Sequence, residues 1–224
     1  MRTLTRTLLA TPVALLMATS LSAQQPAAAP RNADPDRMVA TTPLPTGWTG
    51  RTDRGQPIAN ARFVSMAPGY HATTGPAAIF YRAEDRVSGN FHTLATLHQT
   101  KAPAHPEAYG MFVGGNALDG EGQSYIYILV RGDGAFAIKR RQGAQATNIV
   151  PWTVNAAVVK ADSAGQSSNK IEAQFLGGKL EFSINGTKVH SMDATPAEAH
   201  GIIGVRINHN LDVHVEGFEV HRIQ

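Results

Sequence analysis

The chain has 224 residues, with 20 Lys and Arg against 17 Asp and Glu, 21 Gly, 13 Pro and no cysteine. The lack of thiols excludes disulfides, iron–sulfur clusters, thiolate zinc sites and cysteine nucleophiles, so stability must come from burial. A formal net charge of +3 spread along the chain is too small for a nucleic-acid footprint, and nucleic acid is not an expected partner.

The first element is a targeting segment. Arg2 and Arg6 precede an apolar run over residues 8–21 (LLATPVALLMATSL), and the small pair Ser22-Ala23 stands before Gln24 and Gln25. This is the order of a secretory signal peptide over residues 1–23, cleaved after Ala23. The run is short for a membrane span, contains Pro12, and has no cysteine after it for lipid attachment. The expectation is a periplasmic or secreted protein with no stable membrane insertion after cleavage. Residues 24–45 are rich in Ala and Pro (QQPAAAPRNADPDRMVATTPLP), which predicts a flexible linker. A domain is expected over residues 46–224, large enough for one continuous core.

Within that domain the apolar period is two, the alternation of half-buried strands. Strand-like runs follow as RFVSMA, AAIFYR, NFHTLATLHQT, YGMFVGG, WTVNAAVV, GIIGVRIN and LDVHVEGFEVHRI. Two hairpin regions stand out. SYIYILVRGDGAFAIKRR turns at Gly132-Asp133-Gly134, with Tyr125, Tyr127, Leu129 and Arg131 read as sharing a face with Phe136, Ile138 and Arg140. KIEAQFLGGKLEFSINGTKVHSM turns first at Gly177-Gly178 and again at Asn185-Gly186, a pair suited to the positive φ angles of a type I′ turn. The only helical signal is a turn at Thr195-Pro196-Ala197-Glu198. Many short strands with glycine-bearing turns predict an all-β fold, a two-layer antiparallel jelly-roll sandwich.

The order of NFHTLATLHQT, EAYGMFVGG, the Tyr-rich hairpin, LEFSINGTKV and the closing GIIGVRIN…VEGFEV pair resembles the concanavalin A-like lectin/glucanase superfamily. It is most similar to the laminin-G-like and 3-keto-disaccharide hydrolase-like members. The resemblance implies a curved jelly roll and a carbohydrate partner. The E-x-D-x-x-E strand of the retaining glucanases, which aims both carboxylates into one cleft, is absent. Three functions remain open: a carbohydrate-binding domain, a glycoside (keto-disaccharide-type) hydrolase, or a non-catalytic cell-surface interaction domain.

The residue types that hold sugars are aromatic faces, amides, carboxylates and guanidinium groups. Tyr125, Tyr127 and Arg131 in one hairpin and Arg206, Asn208, His209, Asp212 and His214 near the last bend are the ligand-binding candidates. The polar cluster in that bend either satisfies backbone groups or contacts sugar or metal. No catalytic motif is complete. If the protein is an enzyme, His105 with Glu107 or Asp212 with His214 are the acid/base candidates. The loop GGNALDGEGQSY offers Asp119 and Glu121 as oxygen ligands for a structural calcium, although Val130 stands where an EF-hand would place its bidentate Glu.

Overall fold

A computed structural model describes residues 34–55 and 58–224. The expected signal peptide and the first part of the expected linker lie outside the described residues. The first seven strands are β1 (Trp48–Thr52), β2 (Ala61–Ser65), β3 (Tyr70–Thr74), β4 (Ala78–Val87), β5 (Phe91–Gln99), β6 (Ala108–Asn116) and β7 (Ser124–Arg131). Then come β8 (Ala135–Gln142), β9 (Gln145–Val154), β10 (Ser167–Leu176), β11 (Lys179–Ile184) and β12 (Thr187–Asp193). A one-turn helix, α1 (Pro196–Ala199), precedes β13 (Gly201–Ile207) and β14 (Asp212–Arg222).

The strands form two seven-stranded sheets, ordered β1-β4-β13-β6-β7-β8-β9 and β12-β11-β10-β5-β14-β3-β2, and every pairing is antiparallel. This is the expected two-layer sandwich. Alternation in β5 and β10 supplies Phe91, Ala95, Leu97, Ile171, Ala173 and Phe175 from one sheet, which meet Phe80, Met111, Val113, Ile128 and Val205 from the other in a single core. Because side chains repeat every second residue, a slip of one position in either strand would turn that whole set to solvent.

The turns follow from residues that tolerate positive φ. Asn185 and Gly186 have φ of 51° and 79° and place Ile184 opposite Thr187, as the type I′ reading requires. The Tyr-rich hairpin corrects the sequence reading. Its loop is three residues long, so Arg131 faces Ala135 and Tyr127 faces Lys139. Tyr125, Tyr127, Leu129 and Arg131 therefore share their face with Ala135, Ala137, Lys139 and Arg141, whereas Phe136 and Ile138 enter the core. Strand β9 also begins before WTVNAAVV and ends at Val154, while Asn155 leaves the ladder to accept from the Ala157 amide.

Before β1, Arg37 packs the entering chain against the second sheet. Its guanidinium donates to the carbonyls of Thr74 and Leu211 at 2.9 and 2.5 Å and pairs with Asp212 at 2.7 Å. Asp212 also accepts from Thr73 at 2.9 Å, lies 2.9 Å from the Lys101 ammonium and is 3.7 Å from His71. Burial pushes the Asp212 carboxyl upward, yet the bonds from His71, Lys101, Arg37 and Thr73 outweigh it and hold the group well below the usual carboxylate range. A depressed folded-state pKa stabilises the protein above the unfolded value of about 3.9 and loses that contribution as pH falls further. Asp212→Asn should therefore lower stability at pH 7 and flatten its decline below about pH 4, as read by urea melts at several pH values. A parallel shift of the two proteins at every pH would refute that role.

Candidate functional site

The site is built where β13 ends. Arg206 lies on the outer face of the first sheet, opposite Ile79 on β4 and Gly110 on β6. Gly110 carries no side chain, and a Cβ there would fall 1.9 Å from the Ile128 carbonyl oxygen. The Arg206 guanidinium thus crosses β6 unobstructed, donates to the Tyr125 hydroxyl at 3.1 Å and lies 5.3 Å from the Tyr127 ring centroid. Its two terminal nitrogens grip Asp53, in the turn after β1, at 2.9 and 2.6 Å. Arg206 is 5% exposed. Burial pulls its pKa down, but Tyr125 and Asp53 more than compensate and hold it above the ordinary value. For Asp53, burial acts upward and Arg206 acts downward, and the net shift is downward. The pair is a fixed, charged fork.

Two residues further on, Asn208 donates its side-chain amide to Glu107 Oε2 at 3.2 Å, and its backbone N–H is held by the Ala108 carbonyl at 2.9 Å. His209 follows with both ring nitrogens engaged. Nε2 is 2.6 Å from Glu107 Oε1 and 3.6 Å from Asp34 Oδ2, while Nδ1 is 3.3 Å from Asp36 Oδ1. Asn210, at a positive φ of 56°, donates to Asp34 Oδ1 and the Pro35 carbonyl, both at 3.0 Å, and accepts from the Arg37 amide at 2.7 Å. Arg54 pairs with Asp36. Asp36, Asp53, Arg54, Glu107, Arg206, Asn208 and His209, with Pro76 and Ala77, line an open groove of about 360 Å³.

The structure brings together Tyr125, Tyr127, Arg206, Asn208 and His209 and separates the other candidates. Tyr125 and Tyr127 are 2% and 3% exposed, so they support Arg206 from beneath and do not present a stacking face to the groove. Arg131 is turned to the hairpin end, bonded to Asp133 at 2.5 to 2.9 Å and 4.5 Å from the Trp152 ring. Asp212 does not line the groove; it pairs with Arg37, whose backbone N–H donates to Asn210 Oδ1. His214 belongs to the outer face of the second sheet, between His71 and His98, with ring centroids 6.3 and 5.9 Å away. Asp212 and His214 therefore do not form an acid/base pair facing this groove. His105 is exposed, whereas Glu107, two residues on, is a groove residue.

Asp119 and Glu121 are both exposed, and the Leu118 and Gly120 carbonyls of their loop accept from Arg51 Nη1 at 3.2 and 2.6 Å. Among the described residues, Asp34, Glu107 and His209 each bring one potential ligand atom within 4.8 Å of the others. Composition concealed the contributions of Asp34, Asp36 and Arg37, which sit in the segment read as linker. Asp53 follows a strand that no alternating run announced.

No protein-family model matches the chain, and no curated protein does. Solved structures match at the level of fold. The carbohydrate binding module CBM66 from Bacillus subtilis superposes with a TM-score of 0.58 at 11% identity, over 82% of this chain and 99% of the module. A Bacillus licheniformis β-glucanase gives 0.54 at 10% identity, over 81% and 95%. Alginate lyase A1-II′ gives 0.52 at 11% identity, over 79% and 95%. The likeness is one of fold, a two-layer antiparallel jelly-roll sandwich.

Proposed function

We propose that this concanavalin A-like jelly roll is the binding domain of an exported protein and that it takes carbohydrate in the groove at the end of β13. The observation that carries the reading is Arg206: a guanidinium fixed by Asp53 and Tyr125 in the wall of an open groove whose remaining polar groups are Asp36, Arg54, Glu107, Asn208 and His209. Vicinal hydroxyls both donate and accept, and they are matched by carboxylates, an amide and an imidazole beside a guanidinium that Asp53 and Tyr125 hold in place. A volume of about 360 Å³ lies at the small end of ligand sites, which favours a terminal sugar unit over a long chain. The carbohydrate class of two of the superposed proteins supports the same reading.

Binding of the chain to a glycan array, followed by titration calorimetry on the best ligand, tests it. Asn208→Ala should weaken binding about tenfold, the scale of one or two hydrogen bonds to a polar ligand. Arg206→Lys should weaken it further, because an ammonium cannot reproduce the fork. An array without signal for the parent protein would remove the proposal.

A second reading is hydrolysis of a glycosidic bond. It rests on His209, whose Nδ1 faces Asp36 while Nε2 faces Glu107, an arrangement that orients an imidazole for proton transfer. Release of reducing sugar from the array ligand, abolished by Glu107→Gln, would establish it.

A further inference from the structure

We propose that the open cavity beside the groove, between the loop over residues 102–107 and the turn over residues 161–165, takes a primary ammonium group, and that an amino sugar reaching over from the groove supplies it. The cavity measures about 360 Å³. Glu107 lines both it and the groove, so the two form neighbouring compartments for a ligand of two units. The amino-sugar source rests on the carbohydrate reading; the ammonium site itself rests on the cavity.

The buried wall of the cavity is Gln99, which is 3% exposed. Its Nε2 donates to the Gly165 carbonyl at 2.6 Å. That bond fixes the amide orientation, because the reverse would set two oxygens against each other. Oε1 is thereby left buried with no donor among the described residues, whereas buried polar groups in folded proteins are paired. Gly132 keeps the space beside this amide open. A Cβ there would stand 3.3 and 3.4 Å from Gln99 Nε2 and Oε1, and 3.1 Å from the Ala161 Cβ.

The rest of the lining selects the ligand. Ala102, Pro103, Ala104, Pro106 and Ala161 form apolar walls. The charged groups are Glu107, Asp133 and Asp162, and no lysine, arginine or histidine is among the described lining residues. Arg131 offsets Asp133. Asp162 uses Oδ1 to accept from the Ala164 and Gln166 amides, both at 2.9 Å, and its Oδ2 has no donor among the described contacts. The side chains that meet a guest are thus acceptors, apart from the Ser163 hydroxyl. An anion would be repelled, whereas an ammonium brings three donors and the complementary charge.

Calorimetry with three probes separates the sources of the amine: a glucosamine disaccharide with free amines, its N-acetylated counterpart, and the sugar-free diamine putrescine. The free-amine disaccharide should bind about tenfold or more tighter than the acetylated one, the scale of a hydrogen bond to a charged group. Gly132→Ala, which fills the space beside Gln99, and Asp162→Asn, which keeps the turn's acceptor but removes the charge, should each bring that ratio close to one. Asn208→Ala should weaken both sugars alike. Circular dichroism melts identify an unfolded variant, and Asp162→Asn, on an exposed turn, serves if Gly132→Ala does not fold. Putrescine binding that Gly132→Ala abolishes, with neither sugar bound, would keep the ammonium site and remove the sugar as its source. Equal affinity for the two disaccharides overturns the site and leaves the groove reading standing, as does an amine preference that survives both substitutions. Absence of binding by all three probes overturns it as well, the glycan array then deciding the groove by itself.

Discussion

Phe63→Ala is expected to cost about 3–5 kcal/mol of unfolding free energy, within the range for deleting a buried aromatic side chain. Phe63 has no exposed surface and comes from the edge strand of the second sheet. Its ring stacks on Phe80 of the first sheet at 4.4 Å and 12°, on Tyr70 at 5.2 Å and 13°, and meets Trp48 at 4.7 Å. One ring therefore joins β1 and β4 to β2 and β3 where the sandwich would otherwise open. Its removal forfeits transfer energy and leaves a cavity among rigid rings that cannot collapse into it. Urea denaturation followed by tryptophan fluorescence measures the loss, since Trp48 reports on the same cluster. Phe63→Leu should cost clearly less, because it preserves most of the volume. A loss below about 1 kcal/mol for the alanine variant would show that the edge does not depend on this ring.

Asp53→Ala should be the most damaging single change at the groove, at about 3 kcal/mol, because it leaves the buried Arg206 charge without its bidentate partner. Arg51 and Arg141 also surround Asp53, so its removal sets three guanidinium groups against one another. Combining Asp53→Ala with Arg206→Met should recover part of the loss, since an apolar pair of similar volume carries no desolvation penalty. A double-mutant cycle by urea denaturation isolates the coupling. Independent, additive losses would mean that Asp53 and Arg206 act separately. The same cycle bears on function: Asp53→Ala should also release the guanidinium from its fixed position in the groove and weaken any ligand that the fork recognises.

Much of the sandwich is readable from side-chain order. The alternation in residues 91–99 and 170–176, the glycine pair at Gly177-Gly178 and the Asn185-Gly186 turn are local chemical facts, and they become β5, β10 and the hairpins of β11 and β12. The short β1 and β3 escaped the same reading. Over five residues, WTGRT and YHATT lack a continuous apolar face, and it is their contacts with β4 and with β2 and β14 that hold them extended. The Tyr hairpin shows a different failure. All its residues were assigned to strands correctly, yet the face shared by Tyr127 and Lys139 depended on counting three loop residues between Arg131 and Ala135.

For the site, the polar run ending β13 marked Arg206, Asn208 and His209 without any tertiary information, since charged and amide groups in a bend beside apolar strands require partners. Which partners those are could not be read there. Asp34, Asp36, Asp53 and Glu107 reach His209 and Arg206 because sheet pairing sets β1 and β6 beside β4 and β13, and because Arg37 fastens the entering chain to Asp212. Local sequence determined which residues lie in strands, which faces are apolar and where the chain turns, as these follow from alternation and backbone sterics over a few positions. Only the folded arrangement decided which carboxylate meets which cation, because an ion pair depends on distance in space and the sheets bring together groups more than a hundred positions apart.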